Sequence, residues 1–250
     1  MLKLSIITIC YNAEKTLQDA MDSVFMQSYK NYEYIVINGL SKDSTEQIIK
    51  NNAPRLAHWQ TEQDKGLYDA LNKGVAKATG DVLAFLHADD MYADDAVFER
   101  VVQVFEKENC DAVFGNLRFV AESNVQETKR IWRMPLGSFG CGFMPAHPAL
   151  FVRKKLFDQY GAFDTTYKIA GDYDWMLRAL HQTRAKLVYL PHFLVNMRMG
   201  GASTKNIRSR MLALQEDYRA WQKIEKNPLP IIFALVCKRL RKVLQFFVKK

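Results

Sequence analysis

Two hydrophobic rhythms alternate along the first half of this 250-residue chain. Continuous apolar runs lie near residues 4–10, 33–38, 82–86 and 111–115, with a weaker one near 57–62. Runs of that length, rich in β-branched residues, suit strands buried on both faces of a sheet. Between them, apolar positions recur every three or four residues near 14–27, 44–51, 67–78 and 94–107, the spacing of amphipathic helices. The alternation predicts an α/β domain built on a mainly parallel sheet, with helices on both faces. Right-handed crossovers then bring the loop after each strand to one edge, where open α/β sheets bind ligands. Asn12, Asn38-Gly39, Asp64 and Asp89-Asp90 are expected to meet there. The second half is less regular, with strands predicted near 117–121, 128–132, 149–152, 186–190 and 193–198 and helices near 153–160 and 172–182. A helix near 205–226 precedes the break Asn227-Pro228-Leu229-Pro230 and a last helix. The chain therefore divides into a body, 1–226, and a C-terminal amphipathic helix, 227–250, expected to be separable from it.

The stretch Asp64 to Asp90 carries the densest chemistry. The strand Val82–Leu86 delivers His87, Asp89 and Asp90 to its carboxyl end. Adjacent carboxylates there repel one another unless a cation or a set of donors stabilises them, so a divalent metal carrying phosphate oxygens is the natural partner.

Charge changes this picture in one place. Of the formal net charge of +8, the segment Trp221 to Lys250 holds eight basic residues against Glu225 alone, a net +7. The nearly neutral body argues against a nucleic-acid-binding face. In the tail, Val236, Leu240, Val243 and Phe247 recur at helical spacing opposite Lys238, Arg239, Arg241 and Lys242. That pattern suits a helix lying in the interface of an anionic membrane, the alternative being a helix docked on protein. Cys10, Cys110, Cys141 and Cys237 show no metal-ligand spacing and read as reduced thiols of a cytoplasmic protein. No segment approaches the ~20 apolar residues of a membrane span.

In order and spacing, Ser5–Asn12, Tyr34–Gly39, Ser41–Thr45, Asp64–Gly74, the strand-end acids, Gly171-Asp172-Tyr173-Asp174-Trp175 and Met199–Thr204 resemble the family 2 glycosyltransferases of the GT-A fold. The likeness extends to bacterial exopolysaccharide enzymes of the colanic-acid type. It implies a Rossmann-like α/β domain that transfers a sugar from a nucleotide-sugar donor. It implies that Asp90 ligates Mg²⁺ or Mn²⁺, with Asp89 on ribose or the metal's water shell and His192 completing the metal shell. Thr8, Tyr11 and Asp64 match positions around base and ribose. Asn38 stands where relatives carry an acid that reads uracil, so UDP is allowed rather than demanded. Lys73 would face phosphate or solvent, and His147 would line the acceptor or diphosphate region. Arg198, with Gly200-Gly201 and Ser203-Thr204, would close over the diphosphate. Asp172 matches the catalytic base, its usual glutamate neighbour replaced by Gly171, although a helix N-cap would also explain it. Asp174 and Trp175 would contact the acceptor, or Trp175 would pack in the core.

The expected activity is inverting transfer to a lipid-linked glycan at the cytoplasmic membrane face. Two other classes stay open: a sugar-nucleotide nucleotidyltransferase and a non-catalytic sugar-nucleotide-binding protein. Against the first, the loop after the first strand, Tyr11-Asn12-Ala13-Glu14-Lys15, lacks a glycine-rich basic character.

Overall fold

The computed structural model describes residues 1–122, 124–133, 135–199 and 207–244. Strands β1 (Leu4–Cys10), β2 (Tyr32–Asn38), β3 (His58–Thr61) and β4 (Val82–Phe85) alternate with α1 (Leu17–Phe25), α2 (Thr45–Asn52) and α3 (Leu67–Lys77). They are followed by β5 (Asp90–Tyr92), α4 (Val97–Glu108), β6 (Ala112–Val120), β7 (Thr128–Trp132), β8 (Leu150–Arg153), α5 (Lys154–Tyr160) and α6 (Gly171–Met176). The chain ends in β9 (Leu187–Arg198), α7 (Ile207–Gln222) and α8 (Pro228–Leu244).

The strands form one sheet in the order β3-β2-β1-β4-β8-β6-β9-β5, with β7 paired to β6. Its two faces explain the continuous apolar runs. Along β1, Leu4 and Ile6 pack under α1 and α4, whereas Ile7 faces Leu71 of α3; β2 and β4 alternate in the same way. A strand with two dry faces has no polar side to display.

The all-parallel block is confined to the first half of the sheet, and in the second half only β6 and β9 pair in parallel. β1, β2, β3 and β4 are mutually parallel, but β8 runs antiparallel to both β4 and β6, and β5 runs antiparallel to β9. The chain reverses between β6 and β7, and β7 and β8, both antiparallel to β6, run in the same direction on either side of the Pro135–Pro148 connection. Two further boundaries differ from the sequence reading. Residues 112–120 form a single strand, as do 187–198, where Leu190 and Phe193 oppose the consecutive residues Gly115 and Asn116. Pro191 and His192 bulge out between them, because proline has no N–H for the ladder.

The last helix is not an appendage. Ile231, Ala234 and Leu235 of α8 are buried in the same core as Trp221 of α7 and Phe139. Asp217 of α7 receives Lys238 at 2.8 Å and Arg239 at 2.9 Å. The opposite face of α8 is also apolar: Leu229, Ile232, Phe233, Val236, Leu240 and Val243 are each half or more exposed. Phe247 lies outside the described residues.

Candidate active site

The carboxyl ends of β1, β2 and β3 are tied together by short hydrogen bonds. Asn12, in the left-handed region at φ 50°, accepts the Lys42 amide at 2.9 Å and donates its own amide to Ser41 at 2.9 Å. Asp43 accepts the Glu14 amide, and Thr45 accepts the Ala13 amide. The Ser41–Thr45 segment is therefore a clamp between the first two loops. Against it lies Asp64: a Cβ on Gly39 would sit 2.6 Å from its Oδ2, so only glycine admits the carboxylate there. Tyr11 stands 60% exposed at this rim, its ring available to a base.

Several expected ligand contacts are instead spent on the fold. Asn38 is fully buried, its Oδ1 accepting Ser41 Oγ at 2.5 Å and its amide donating to Thr61 at 3.2 Å, so it shapes the β2 turn and has no free edge for a base. Thr8 is equally buried, hydrogen-bonded to the Tyr34 hydroxyl at 3.0 Å. Lys73 bridges Glu62, Asp64 and Asp69 at 2.8, 2.8 and 3.4 Å, neutralising acids and not phosphate. Buried Cys10 has its thiol pushed up to about 12 by desolvation and by Asp43 and Asp64, so no thiolate nucleophile stands at this edge.

Beyond β4 the acid pair divides by exposure. Asp89 is partly open; Asp90 opens β5 opposite Met197 and is fully buried. Both Asp90 oxygens are shut from solvent without a hydrogen-bond partner. Burial and the adjacent Asp89 push its carboxyl well above the ordinary range, opposed by the Arg198 backbone and guanidinium. Unpaired carboxylate oxygens beside a second acid fit a hard divalent cation with oxygen ligands. Among the described residues no three His, Cys, Asp or Glu side chains converge on one point, so most of such a cation's ligands must come from a bound diphosphate and water.

His192 does not join this pair. It is exposed in the β9 bulge, five residues from the position opposite Asp90, a separation of about 16 Å along a strand. Arg198 is also not a lid: it is buried, bonded to Asp19 at 2.5 Å and to the Asp89 carbonyl at 3.1 Å, and so braces the acid turn from behind. Gly200-Gly201 and Ser203-Thr204 lie outside the described residues.

A row of rings runs from the acids to Asp172. His87 lies 5.9 Å from His147, His147 5.9 Å from Phe163, and Phe163 5.7 Å from Tyr68. The Tyr68 hydroxyl then reaches Asp172 Oδ1 at 3.4 Å while donating to the Ile169 carbonyl at 2.7 Å. Burial, with a smaller contribution from His87, holds His147 near 3, and it lowers His87 also, so both rings are neutral at pH 7. Asp172 is pushed up to about 6 by desolvation, opposed by the Lys238 charge and the Tyr173 amide. That value suits a proton acceptor working near neutrality.

The Asp172 backbone is held by residues that no local motif announces. Glu216 of α7 accepts the amides of Lys168, Ile169 and Ala170 at 2.8–2.9 Å, fixing the loop that feeds α6. Gly171 is required by Tyr68, whose ring atoms would lie 2.7–2.9 Å from a Cβ there. A larger residue beside Asp172 and the tyrosine cannot share that space. Asp174 and Trp175 point inward. Asp174 is buried between Arg178 at 2.9 Å and Lys223 at 2.7 Å, and Trp175 stacks on Phe157 at 4.1 Å while donating to the Gly161 carbonyl. Both serve the core and contact no open surface.

Residues 5–175 match the family described as glycosyl transferase family 2. Over 181 residues the chain is 34% identical to an uncharacterized glycosyltransferase of Mycobacterium tuberculosis, covering 70% of this chain and 68% of that protein. Among solved structures it resembles residues 1–349 of Staphylococcus aureus TarS in complex with UDP-GlcNAc, with a TM-score of 0.73 and 15% identity over 97% of this chain and 73% of that one. It also resembles the mannosyltransferase PcManGT of Pyrobaculum calidifontis in complex with GDP-Man and Mn²⁺, with a TM-score of 0.68 and 16% identity over 99% of this chain and 76% of that one. At these identities the structural likeness is one of fold.

Proposed function

Because the chain belongs to glycosyl transferase family 2, and is thus a glycosyltransferase of GT-A type, we propose that it transfers a sugar from a nucleotide donor to a glycan acceptor by a single inverting displacement. The observation that carries this reading is Asp172, a shielded carboxylate poised near 6 and joined by a row of rings to the acid pair at the end of β4. The clamp between Asn12 and Ser41–Thr45, with Tyr11 and Asp64 at its rim, receives the nucleoside. Asp64 accepts a ribose hydroxyl, and Tyr11 offers a face to the base. With Asn38 committed to its own turn, base selection falls to backbone groups, and the donor we favour is UDP-linked.

Asp89, the open member of the pair, and Asp90 behind it would hold Mg²⁺ or Mn²⁺. Such an ion, when bound, neutralises the departing diphosphate. Asp172 takes the proton of the acceptor hydroxyl as that oxygen attacks the anomeric carbon from the side opposite the diphosphate. Inversion follows, and no sugar–enzyme bond forms. His87 and His147, neutral and half-buried, stand in the row of rings between the two acids without adding charge.

The exposed stripe on α8 supports an acceptor presented at a membrane. Leu229 to Val243 mark an apolar line about 21 Å long on the outer face of the helix, flanked by Arg239. Among the described residues no helix is long and apolar enough to cross a membrane. An apolar line beside cationic side chains fits the surface of an anionic bilayer, and the acceptor we propose is lipid-linked. Thermal denaturation against a panel of nucleotide sugars, with and without Mn²⁺, tests the donor half of this reading. A metal-dependent rise in midpoint with a UDP-sugar is expected. No rise with any nucleotide sugar would overturn it.

A further inference from the structure

The family match ends at Trp175, yet side chains from beyond it pack against the helix that carries Asp172. Lys238, on the inner face of α8, has only 15% of its side chain exposed. Its ammonium sits 3.3 Å from the centre of the Tyr173 ring and 2.8 Å from Asp217. Tyr173 directly follows Asp172, whose Oδ1 accepts the Tyr173 amide at 2.8 Å. The same tyrosine is pinned at its other end, where its hydroxyl accepts Trp221 Nε1 of α7 at 2.9 Å. One cation thus touches the ring whose backbone carries the base.

A lysine buried this far sheds its charge unless a partner holds it, and Asp217 is that partner. Arg239 shares Asp217 from the outside at 2.9 Å, through the other carboxylate oxygen. The charged and titratable groups on α6 and the elements packed against it include Tyr68 from α3, Tyr173 and Asp174 from its own helix, Glu216 and Asp217 from α7, Lys223 just beyond α7, and Lys238 and Arg239 from α8. Glu216 is occupied by three backbone amides. Lys238 is therefore the cation that reaches the Asp172 helix, through the Tyr173 ring, and Asp217 is its ion-pair partner.

We propose that Lys238 is a positioning residue of the active site: held by Asp217 and seated on Tyr173, it supplies the positive charge that keeps Asp172 ionised in a buried setting. The C-terminal helical pair is then part of the catalytic apparatus. The seating of Lys238 on Tyr173 and Asp217 is geometric, and its meaning for the reaction rests on Asp172 being the base.

The test uses the full chain, labelled with ¹³C at the aspartate side-chain carboxyls and titrated by NMR without ligand. The Asp172 resonance is assigned as the one lost in Asp172→Asn. In the unaltered protein its midpoint is expected near 6. Lys238→Met and Lys238→Gln should each raise the midpoint by about one pH unit, and Lys238→Arg should return it close to the starting value. A merely structural lysine, replaced by methionine or glutamine in a folded protein, would leave the midpoint in place. If Lys238→Met does not fold, the upward shift in Lys238→Gln decides. An Asp172 midpoint unmoved in the folded variants would overturn the proposal. Full sugar transfer by Asp172→Asn would overturn the base assignment instead, leaving the titration result intact.

Discussion

Asp172 and the acid pair make separable predictions at the scale of single residues. Asp172→Asn keeps the shape and removes the proton acceptor, so turnover should fall by ~10²–10⁴ while nucleotide-sugar binding, read by calorimetry, is nearly unchanged. Because its folded value lies near 6, transfer by the unaltered enzyme should rise as pH climbs from 5 to 7 and the carboxylate ionises. A flat profile over that range would remove Asp172 from the reaction. Asp89 and Asp90 are distinguished by exposure. Asp89→Asn should weaken Mn²⁺-linked nucleotide binding and leave the melting temperature alone. Asp90→Asn, in a site whose oxygens lack partners, should change both. Gly171→Ala places a methyl against the Tyr68 ring and should cost about 1–3 kcal/mol in denaturant unfolding, with a loss of turnover as Asp172 is displaced.

The elements explain how firmly the loop before Asp172 is held. Glu216 satisfies three consecutive amides ahead of α6, as an N-terminal cap does for a helix, but from a helix 46–48 residues further on. Glu216→Ala strands those donors and should destabilise the protein by roughly 2–4 kcal/mol, since each buried unpaired group costs about 1–3. Differential scanning calorimetry measures it; a loss under 0.5 kcal/mol would show that water replaces the carboxylate. Truncation after Asn227 is expected to fail for a related reason. It strips Ile231, Ala234 and Leu235 from the core and leaves Asp217 buried without Lys238 or Arg239. The shortened chain should aggregate or melt early.

On the scale of the whole molecule, the nucleotide edge and the α8 stripe are fixed to one body, so the enzyme should meet a membrane in one orientation. Phe233→Ser with Leu240→Ser alters only exposed positions. The pair should reduce sedimentation with phosphatidylserine vesicles several-fold at unchanged melting temperature. Added salt should weaken the unaltered protein's binding without abolishing it, because screening reaches the cations and not the apolar line. Acid stability has its own anchor. Glu33 is held down to about 2: desolvation works against it, but Lys3, Ser5 and Thr79 together overcome it. A depressed carboxylate contributes stability above its unfolded value and loses it as pH falls toward 2, so Glu33→Gln should flatten the acid limb of the stability curve between about pH 4 and 2.

Much of this architecture is written in local pattern. The strands of the parallel half declare themselves because two dry faces demand apolar residues at every position, and the acids at their ends follow from chain direction alone. Tyr11, Asp64, Asp89 and Asp90 follow β1, β3 and β4 for that reason, whereas Asp172, at the start of α6, is singled out by the resemblance of its motif. A residue's type and motif position, however, do not say which way its polar atoms are spent. Asn38, Thr8, Lys73, Asp174 and Trp175 sit in motif positions, but nearer partners claim their hydrogen bonds and ring faces, and such partners are set by packing. His192 was separated from the acids by a bulge, a two-residue event that sequence periodicity does not register. Glu216 and Lys238 reach Asp172 only because α7 and α8 fold back over α6. In the sequence the last helix reads as an amphipathic tail, since its outward apolar stripe and basic residues show equally well in a detached helix. Only the tertiary structure, by burying the opposite face, decides that it belongs to the body of the protein: contacts between distant segments depend on how whole helices pack, and no local pattern encodes that.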